Sequence, residues 1–305
     1  MAYLAKAAEV WVPDLSGRAL VLSSAYFGSE YATSLEEFRS ASESMQFAIN
    51  EGLPGITWAA RRPLIWTDLS IMHFKRKELL PDTGLECALS IPVFAGEFLL
   101  SVMVIYFAAS DQVSGAVEVW HNRDYYDQEL RLMDGYYGEL EKLEFVSHRL
   151  SIMHGRGLPG TAWLRESPVI MDDLANSSSF LRARNAAEYG ITTGLAIPFF
   201  YTNRDVQVVA LLSTDATPVV RRFEVWCPDE ARRYLLFSDG YCADGTDLKA
   251  EYRGIGYARN ESTIGRVWLN GRPVAESSAT LGGTGCIYFP FVIDGVLKAV
   301  VKFEF

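Results

Sequence analysis

The stretch Gly52-Leu53-Pro54-Gly55-Ile56-Thr57-Trp58 returns as Gly157-Leu158-Pro159-Gly160-Thr161-Ala162-Trp163, and a worn third copy reads Ser262-Thr263-Ile264-Gly265-Arg266-Val267-Trp268. The tryptophans stand 105 residues apart both times, as do Pro63, Pro168 and Pro273 behind them. A chain of 305 residues is too long for one ordinary core. The repeat divides it into three units, 1–111, 112–218 and 219–305. Gly and Pro in the motif allow and fix the dihedrals of a sharp turn, which leads into a short helix carrying the Trp and ended by the proline. The glycine spacing and the Lys-Ser/Thr pair of a phosphate-cradling loop are missing.

Working back from the motif, each unit opens on Glu-Val-Trp, at 9–11, 118–120 and 224–226. These residues favour a strand, and turn formers such as Pro13-Asp14 and Pro228-Asp229 follow them. A second strand runs through 19–22, 129–133 and 234–237, with a shared Tyr26, Tyr136 or Tyr241 behind it. A helix comes next. In unit one Ser34 and Glu37 form a capping box, Phe38, Met45 and Ile49 supply an apolar face, and Gly52 ends the helix. The second copy passes through Phe145, Leu150 and Met153. The third carries Gly254 and Gly256, each costing about 1 kcal/mol relative to Ala, which predicts a weakened or shortened helix.

Forward from the motif, a short strand at 64–66 or 169–171 closes on Asp68 or Asp173, and an amphipathic stretch carries Phe74-Lys75-Arg76 or Phe180-Leu181-Arg182. Each unit finishes with a hairpin. Residues 88–92 turn at Ala95-Gly96, 194–198 turn near Thr202-Asn203, and 286–290 turn at Asp294-Gly295, a strong hairpin signal. From the short-helix proline to the hairpin proline is 29 residues in unit one, 30 in unit two and 17 in unit three, so unit three drops the amphipathic stretch. The linkers, 109–115 and 214–221, are short and predict units packed as neighbours.

Composition narrows the function classes. Hydrophobic residues at 49% and charged residues at 22% fit folded globular domains. The longest nearly apolar run, 98–109, is well short of the roughly 20 residues that a spanning helix needs. The N-terminus lacks the basic and apolar segments of a signal peptide, which places the protein in the cytoplasm, away from membranes. A net charge of −10 with no basic stripe argues against nucleic acid as a partner. The four cysteines show neither CxxC spacing nor adjacent histidines, so they read as reduced thiols rather than a zinc site. No Ser-His-Asp order, HExxH helix or Walker loop is present, and no catalytic residue is assigned.

The ordered combination resembles the GAF domain. Unit two carries it at 157–160, Pro168, Asp173-Leu174, Phe180, Arg182, Ala186, Gly190 and Ala196-Ile197-Pro198. Unit one carries it at 52–55, Pro63, Asp68-Leu69, Phe74, Arg76, Gly84 and Ile91-Pro92, and unit three is only GAF-like. The resemblance implies an α+β, PAS-like fold: an antiparallel sheet of about six strands with flanking helices, repeated in tandem. It also implies small-molecule binding between the sheet and the segment that unit three lacks, dimerisation, and regulation of an output domain for which this chain has no room. The segments after Phe74 and Phe180 do not match the cyclic-nucleotide signature of the family, and no Cys-His pair suits bilin attachment.

Carried over residue by residue, the resemblance makes Trp66, Asp68, Phe74, Arg76, Cys87, Ser90, Asp173, Phe180, Arg182 and Ala196 the candidate ligand-binding positions. Most have a second reading. Asp68 and Asp173 either reach a ligand at the pocket mouth or cap the following helix. Arg76 and Arg182 either face an anionic ligand or lie solvated on an exposed helical face. Trp66, Phe74 and Phe180 either line a cavity or fill the core, as Trp58, Trp163 and Trp268 are expected to do. Cys87 is either a redox-sensitive thiol or an inert buried one. The expected function is a non-enzymatic small-molecule sensor with its sites in units one and two, no assigned cofactor, and action through a homo-oligomer or a protein partner. A structural scaffold with filled pockets, or a thiol redox enzyme resembling the GAF-type free methionine sulfoxide reductases, is the alternative.

Overall fold

The computed structural model describes residues 3–28, 32–109, 113–122, 127–201, 205–277 and 285–305. The Ser34 side chain of the expected capping box and the Thr202-Asn203 turn lie outside the described residues. In sequence order the first sheet holds β1 (Ala5–Pro13), β2 (Ala19–Phe27), β3 (Gln46–Ala48), β4 (Leu64–Trp66), β5 (Leu85–Ala95) and β6 (Phe98–Ala108). The second holds β7 (Gly115–His121), β8 (Glu129–Tyr136), β9 (Ser151–Met153), β10 (Val169–Met171), β11 (Ile191–Phe200) and β12 (Val206–Thr214). The third holds β13 (Arg222–Pro228), β14 (Tyr234–Cys242), β15 (Gly256–Ala258), β16 (Val274–Ser277), β17 (Gly285–Ile293) and β18 (Val296–Glu304).

All three sheets are six-stranded with one order: third, second, first, sixth, fifth and fourth strand of the unit, the first being β3-β2-β1-β6-β5-β4. Pairing is antiparallel across the first sheet, the second and the third. This is the α+β architecture the GAF resemblance implies, written three times. The Glu-Val-Trp strand bulges at the same step in each copy, between Val10 and Trp11, Val119 and Trp120, and Val225 and Trp226. A conserved place for the bulge sets how the strand presents Glu and Trp to the core.

Helices α1 (Ala32–Ser44), α2 (Gly52–Ala60), α3 (Glu141–Ser147), α4 (Gly157–Arg165), α5 (Ala183–Tyr189), α6 (Leu248–Glu251) and α7 (Ser262–Asn270) complete the units, with a 3-10 helix at Lys77–Asp82. The first-copy helix stops at Ser44, so Met45 and Ile49 do not continue its apolar face as the spacing predicts. A three-residue strand follows instead, with Phe47 buried between exposed Gln46 and Ala48. The second copy does the same, α3 ending at Ser147 and Ile152 of β9 facing inward. Three residues are too few for periodicity to separate a strand from the tail of a helix. In the third copy α6 spans four residues, the shortening expected there.

The opening motif makes α2, α4 and α7, nine residues each. Its two glycines have different reasons to be glycine. The first is left-handed, with φ of 57° at Gly52 and 59° at Gly157. Ser262 holds the same place with φ of 56°. An L-residue there costs about 1–2 kcal/mol, part of which glycine would give back as chain entropy. Ser262→Gly is therefore expected to raise stability by about 0.5–1 kcal/mol in urea unfolding. The second glycine permits close approach: a Cβ on Gly55, Gly160 or Gly265 would sit 2.0, 2.3 or 2.2 Å from the carbonyl oxygen of Ala48, Met153 or Ala258. Of the motif tryptophans, Trp268 is buried, while Trp58 and Trp163 are half-buried against the first and second cores.

The chain forms two compact units, one of Ala5–Ala108 with Val220–Phe305 and one of Met1–Leu4 with Ala109–Val219. The first therefore joins the first and third sheets. Within it the edge strand β16 crosses β2, where the Ala275 amide donates to Ser24 Oγ at 3.0 Å. Tyr26 stacks on Phe305 with ring centroids 4.5 Å apart. A Cβ on Gly285 would come within 1.8 Å of the Tyr26 ring, so this contact requires glycine.

Candidate functional site

Residues two apart on a strand share a face, so the Glu and Trp of Glu-Val-Trp point together into the core. Trp11, Trp120 and Trp226 are fully buried, and each indole N–H donates to its own Glu, at 3.0 Å to Glu9, 2.8 Å to Glu118 and 2.8 Å to Glu224. A buried carboxylate needs a cation and further hydrogen bonds to be tolerated. Each copy supplies them.

In the first sheet the Arg76 guanidinium grips Glu9 with both terminal nitrogens, at 2.5 and 3.1 Å. Tyr106 Oη donates to Glu9 at 2.8 Å, and Ser42 Oγ donates to it at 2.7 Å. The guanidinium carbon lies 3.9 Å from the Phe38 ring centroid. In the second sheet Arg182 donates to both oxygens of Glu118, at 2.9 Å to Oε2, and to Ser147 Oγ at 2.6 Å. Tyr137 Oη donates to Glu118 at 2.9 Å. Both arginines are 2% exposed, which corrects the exposed-face reading. Each directly precedes its short helix, where its side chain turns down onto the sheet to meet the carboxylate.

The third unit has no amphipathic stretch and no such arginine. Glu224 pairs instead with Lys302 Nζ at 3.0 Å, a neighbour across β13 and β18, and accepts from Tyr252 Oη at 2.8 Å. The residues at the place of Lys302 in the other sheets are Val104 and Ala210. Nothing local singles Lys302 out in the sequence, since β18 also carries Lys298 and Glu304. Burial would lower the Lys302 pKa, but Glu224 and Glu304 outweigh it and hold the ammonium above its ordinary range.

Of the candidate positions, Trp66, Phe74 and Arg76 come together with Phe38 and Tyr106. The Trp66 and Phe74 rings are 6.4 Å apart and the Arg76 guanidinium lies 5.1 Å from the Phe74 ring. Phe180 and Ala196 join the second core, with Arg182 5.2 Å from the Phe180 ring. Ser90 sits opposite Val104 on the same face, and its buried Oγ has no hydrogen-bond partner among the described residues. Cys87 is fully buried, and strand alternation puts it on the opposite face from Ala88 and Ser90. Asp68 accepts from the Ser70 amide and hydroxyl at 2.8 and 2.6 Å, and exposed Asp173 accepts from Asn176 Nδ2 at 2.8 Å. Both serve turns after the short strand rather than caps of a helix.

In the first two sheets, then, the space over the Glu-Trp pair holds an arginine and aromatic rings. Over the third sheet there is a cavity of about 90 Å³, lined among others by Glu224, Lys302, Trp226, Tyr252, Tyr257 and Tyr288. The cavity thus lies in the copy that the missing segment had marked as structural. The same deletion that shortens the unit removes the side chains that fill its relatives.

Burial by itself would raise the Glu9 carboxyl, but the Arg76 charge and the hydrogen bonds from Arg76, Ser42 and Tyr106 outweigh it and hold it below the ordinary carboxylate range. A depressed folded pKa contributes stability that is present above the unfolded value and lost as pH falls through the folded one. The stability gap between wild type and Glu9→Gln is accordingly expected to be constant from about pH 7 to about pH 5 and to narrow below about pH 4, measured by thermal unfolding across that range.

No protein-family model and no curated protein matches the chain. Solved structures similar to it include the GAF domain of a phosphoenolpyruvate-protein phosphotransferase from Coxiella burnetii, at 19% identity over 34% of this chain and 57% of that one, with a TM-score of 0.28. Others are the A. Aeolicus nlh2 GAF domain in an inactive state (15%, 34% and 59%, 0.26) and the free methionine-R-sulfoxide reductase from Neisseria meningitidis in complex with its substrate (22%, 32% and 51%, 0.24). The chain spans between half and three fifths of the length of these structures. Its own sheets define the class: a tandem protein of three GAF-like units. Among the described residues no helix is long and apolar enough to cross a membrane.

Proposed function

We propose that the protein is a non-enzymatic, cytoplasmic regulatory protein of the GAF type that binds a small polar molecule over its third sheet and acts in trans, through a homo-oligomer or a partner protein. The cavity beside Glu224 and Lys302 carries this reading. At about 90 Å³ it is far smaller than the roughly 300–1,000 Å³ of drug-sized sites, and it suits an occupant of a few heavy atoms held by hydroxyl and charged groups. Three of the four thiols support a role other than redox catalysis. Burial raises Cys227 and pushes Cys286 up to about 11, and Cys87 is fully buried, so these groups favour the unreactive thiol form. A scaffolding role is the second reading for the first two sheets, favoured by the ion pairs and rings that occupy their interiors.

Native mass spectrometry of freshly purified protein, with a thermal-shift screen of amino acids and small carboxylates, tests the reading. A bound species, or a rise in Tm of at least about 2 °C that the Glu224→Gln/Lys302→Met double variant loses, is expected. No retained mass and no shift with any compound would count against it.

A further inference from the structure

Within the compact unit formed by the first and third sheets, the tip of the β5–β6 hairpin faces the C-terminal end of α7 and the β17–β18 turn across a cleft of about 420 Å³. The approach is close: a Cβ on Gly271, the residue that ends α7, would lie 3.7 Å from Leu100 Cδ1. Phe94, Leu100, Trp268 and half-exposed Leu269 give the cleft apolar walls. Its charged lining is Arg232 and Arg259, with no acidic residue.

That lining runs against the composition of the chain, which has 28 basic and 38 acidic residues. Neither arginine forms an ion pair among the described residues. Arg259 lies over the Trp268 ring, 4.6 Å from its centroid, and Arg232 donates to the Leu297 carbonyl at 3.1 Å. Nearby Arg61, by contrast, is neutralised by Glu97 at 3.2 Å. Two guanidinium groups left without a carboxylate, above an apolar floor, match an oxyanion joined to a ring or a branched hydrocarbon. The volume lies within the range of small-molecule sites.

We propose that this cleft binds a small aromatic oxyanion, its ring against Trp268, Phe94 and Leu269 and its charge on Arg259 and Arg232. The site shares no residue with the cavity beside Glu224 and Lys302 and does not depend on it.

The test uses the full chain and two fluorescent probes with the same rings, 1-anilinonaphthalene-8-sulfonate and its uncharged parent N-phenyl-1-naphthylamine. Saturable binding of the sulfonate is expected, weakened at least about tenfold by Arg259→Gln, with the uncharged probe changed less than about twofold. Leu269→Glu, at a half-exposed position, is expected to weaken both probes, and it keeps the test open should Arg259→Gln fail to fold. Competition by phenylacetate or by phenyl phosphate assigns the oxyanion as carboxylate or phosphate. Sulfonate binding that survives both substitutions, or that neither competitor displaces, overturns the proposal, including the case in which the probe sits in the other cavity.

Discussion

Arg182→Met is expected to destabilise the unit built on the second sheet by about 3–5 kcal/mol, because it leaves the Glu118 carboxyl buried and without a cation. The Trp120 indole and the Tyr137 hydroxyl would still donate to that carboxylate, at 2.8 and 2.9 Å, but neither carries a charge. Removing the acid as well, in Glu118→Gln/Arg182→Met, is expected to recover most of the loss, since no buried acid is then left without its counterion. Urea unfolding of the two single variants and the double closes the cycle. A double variant no more stable than the arginine variant would mean that Arg182 acts by packing on Trp120 and Phe180, whose ring centroids lie 5.2 Å away, rather than by charge.

Gly160→Ala is the second large effect, at about 3 kcal/mol. Its Cβ would stand 2.3 Å from the Met153 carbonyl oxygen, an atom that also accepts from the Arg156 amide at 2.9 Å and so cannot retreat freely. Gly157→Ala, three residues earlier, meets Leu181 Cγ at 3.4 Å, an ordinary contact, and suffers chiefly from its φ of 59°. About 1 kcal/mol is expected there, so the two glycines of one motif should separate clearly in the same unfolding experiment. Hydrogen exchange at the α4 and β9 amides is expected to quicken in the Gly160 variant first. Equal losses at the two sites would show that dihedral freedom alone accounts for the motif.

Much of the architecture was legible because it is local and repeated. The period of 105 residues, the two glycines, the terminating prolines and the Asp294-Gly295 turn are read from neighbouring residues. The structure returns them as nine-residue helices and as a hairpin with both turn residues at positive φ. The short strands β3, β9 and β15 escaped because a lone inward residue such as Phe47 or Ile152 has no periodicity to display. The site was legible only as a set of residue types. Phe74 and Arg76 were picked out, but their partner Glu9 lies 67 residues from Arg76, and nothing local in Glu-Val-Trp announces a buried acid.

The sequence by itself determined that one unit of strands and helices is written three times, where each copy turns, and which copy is shortened. Those properties follow from local propensity and spacing, which act along the chain. The tertiary structure alone decided which charges are buried in pairs, that the first and third sheets share a compact unit, and that open space lies over the third sheet. These depend on which distant side chains fill the same volume. The deletion after Pro273 could be counted in the sequence. That it exchanges an arginine and a Phe for Lys302 and a cavity emerged only once the strands were brought side by side.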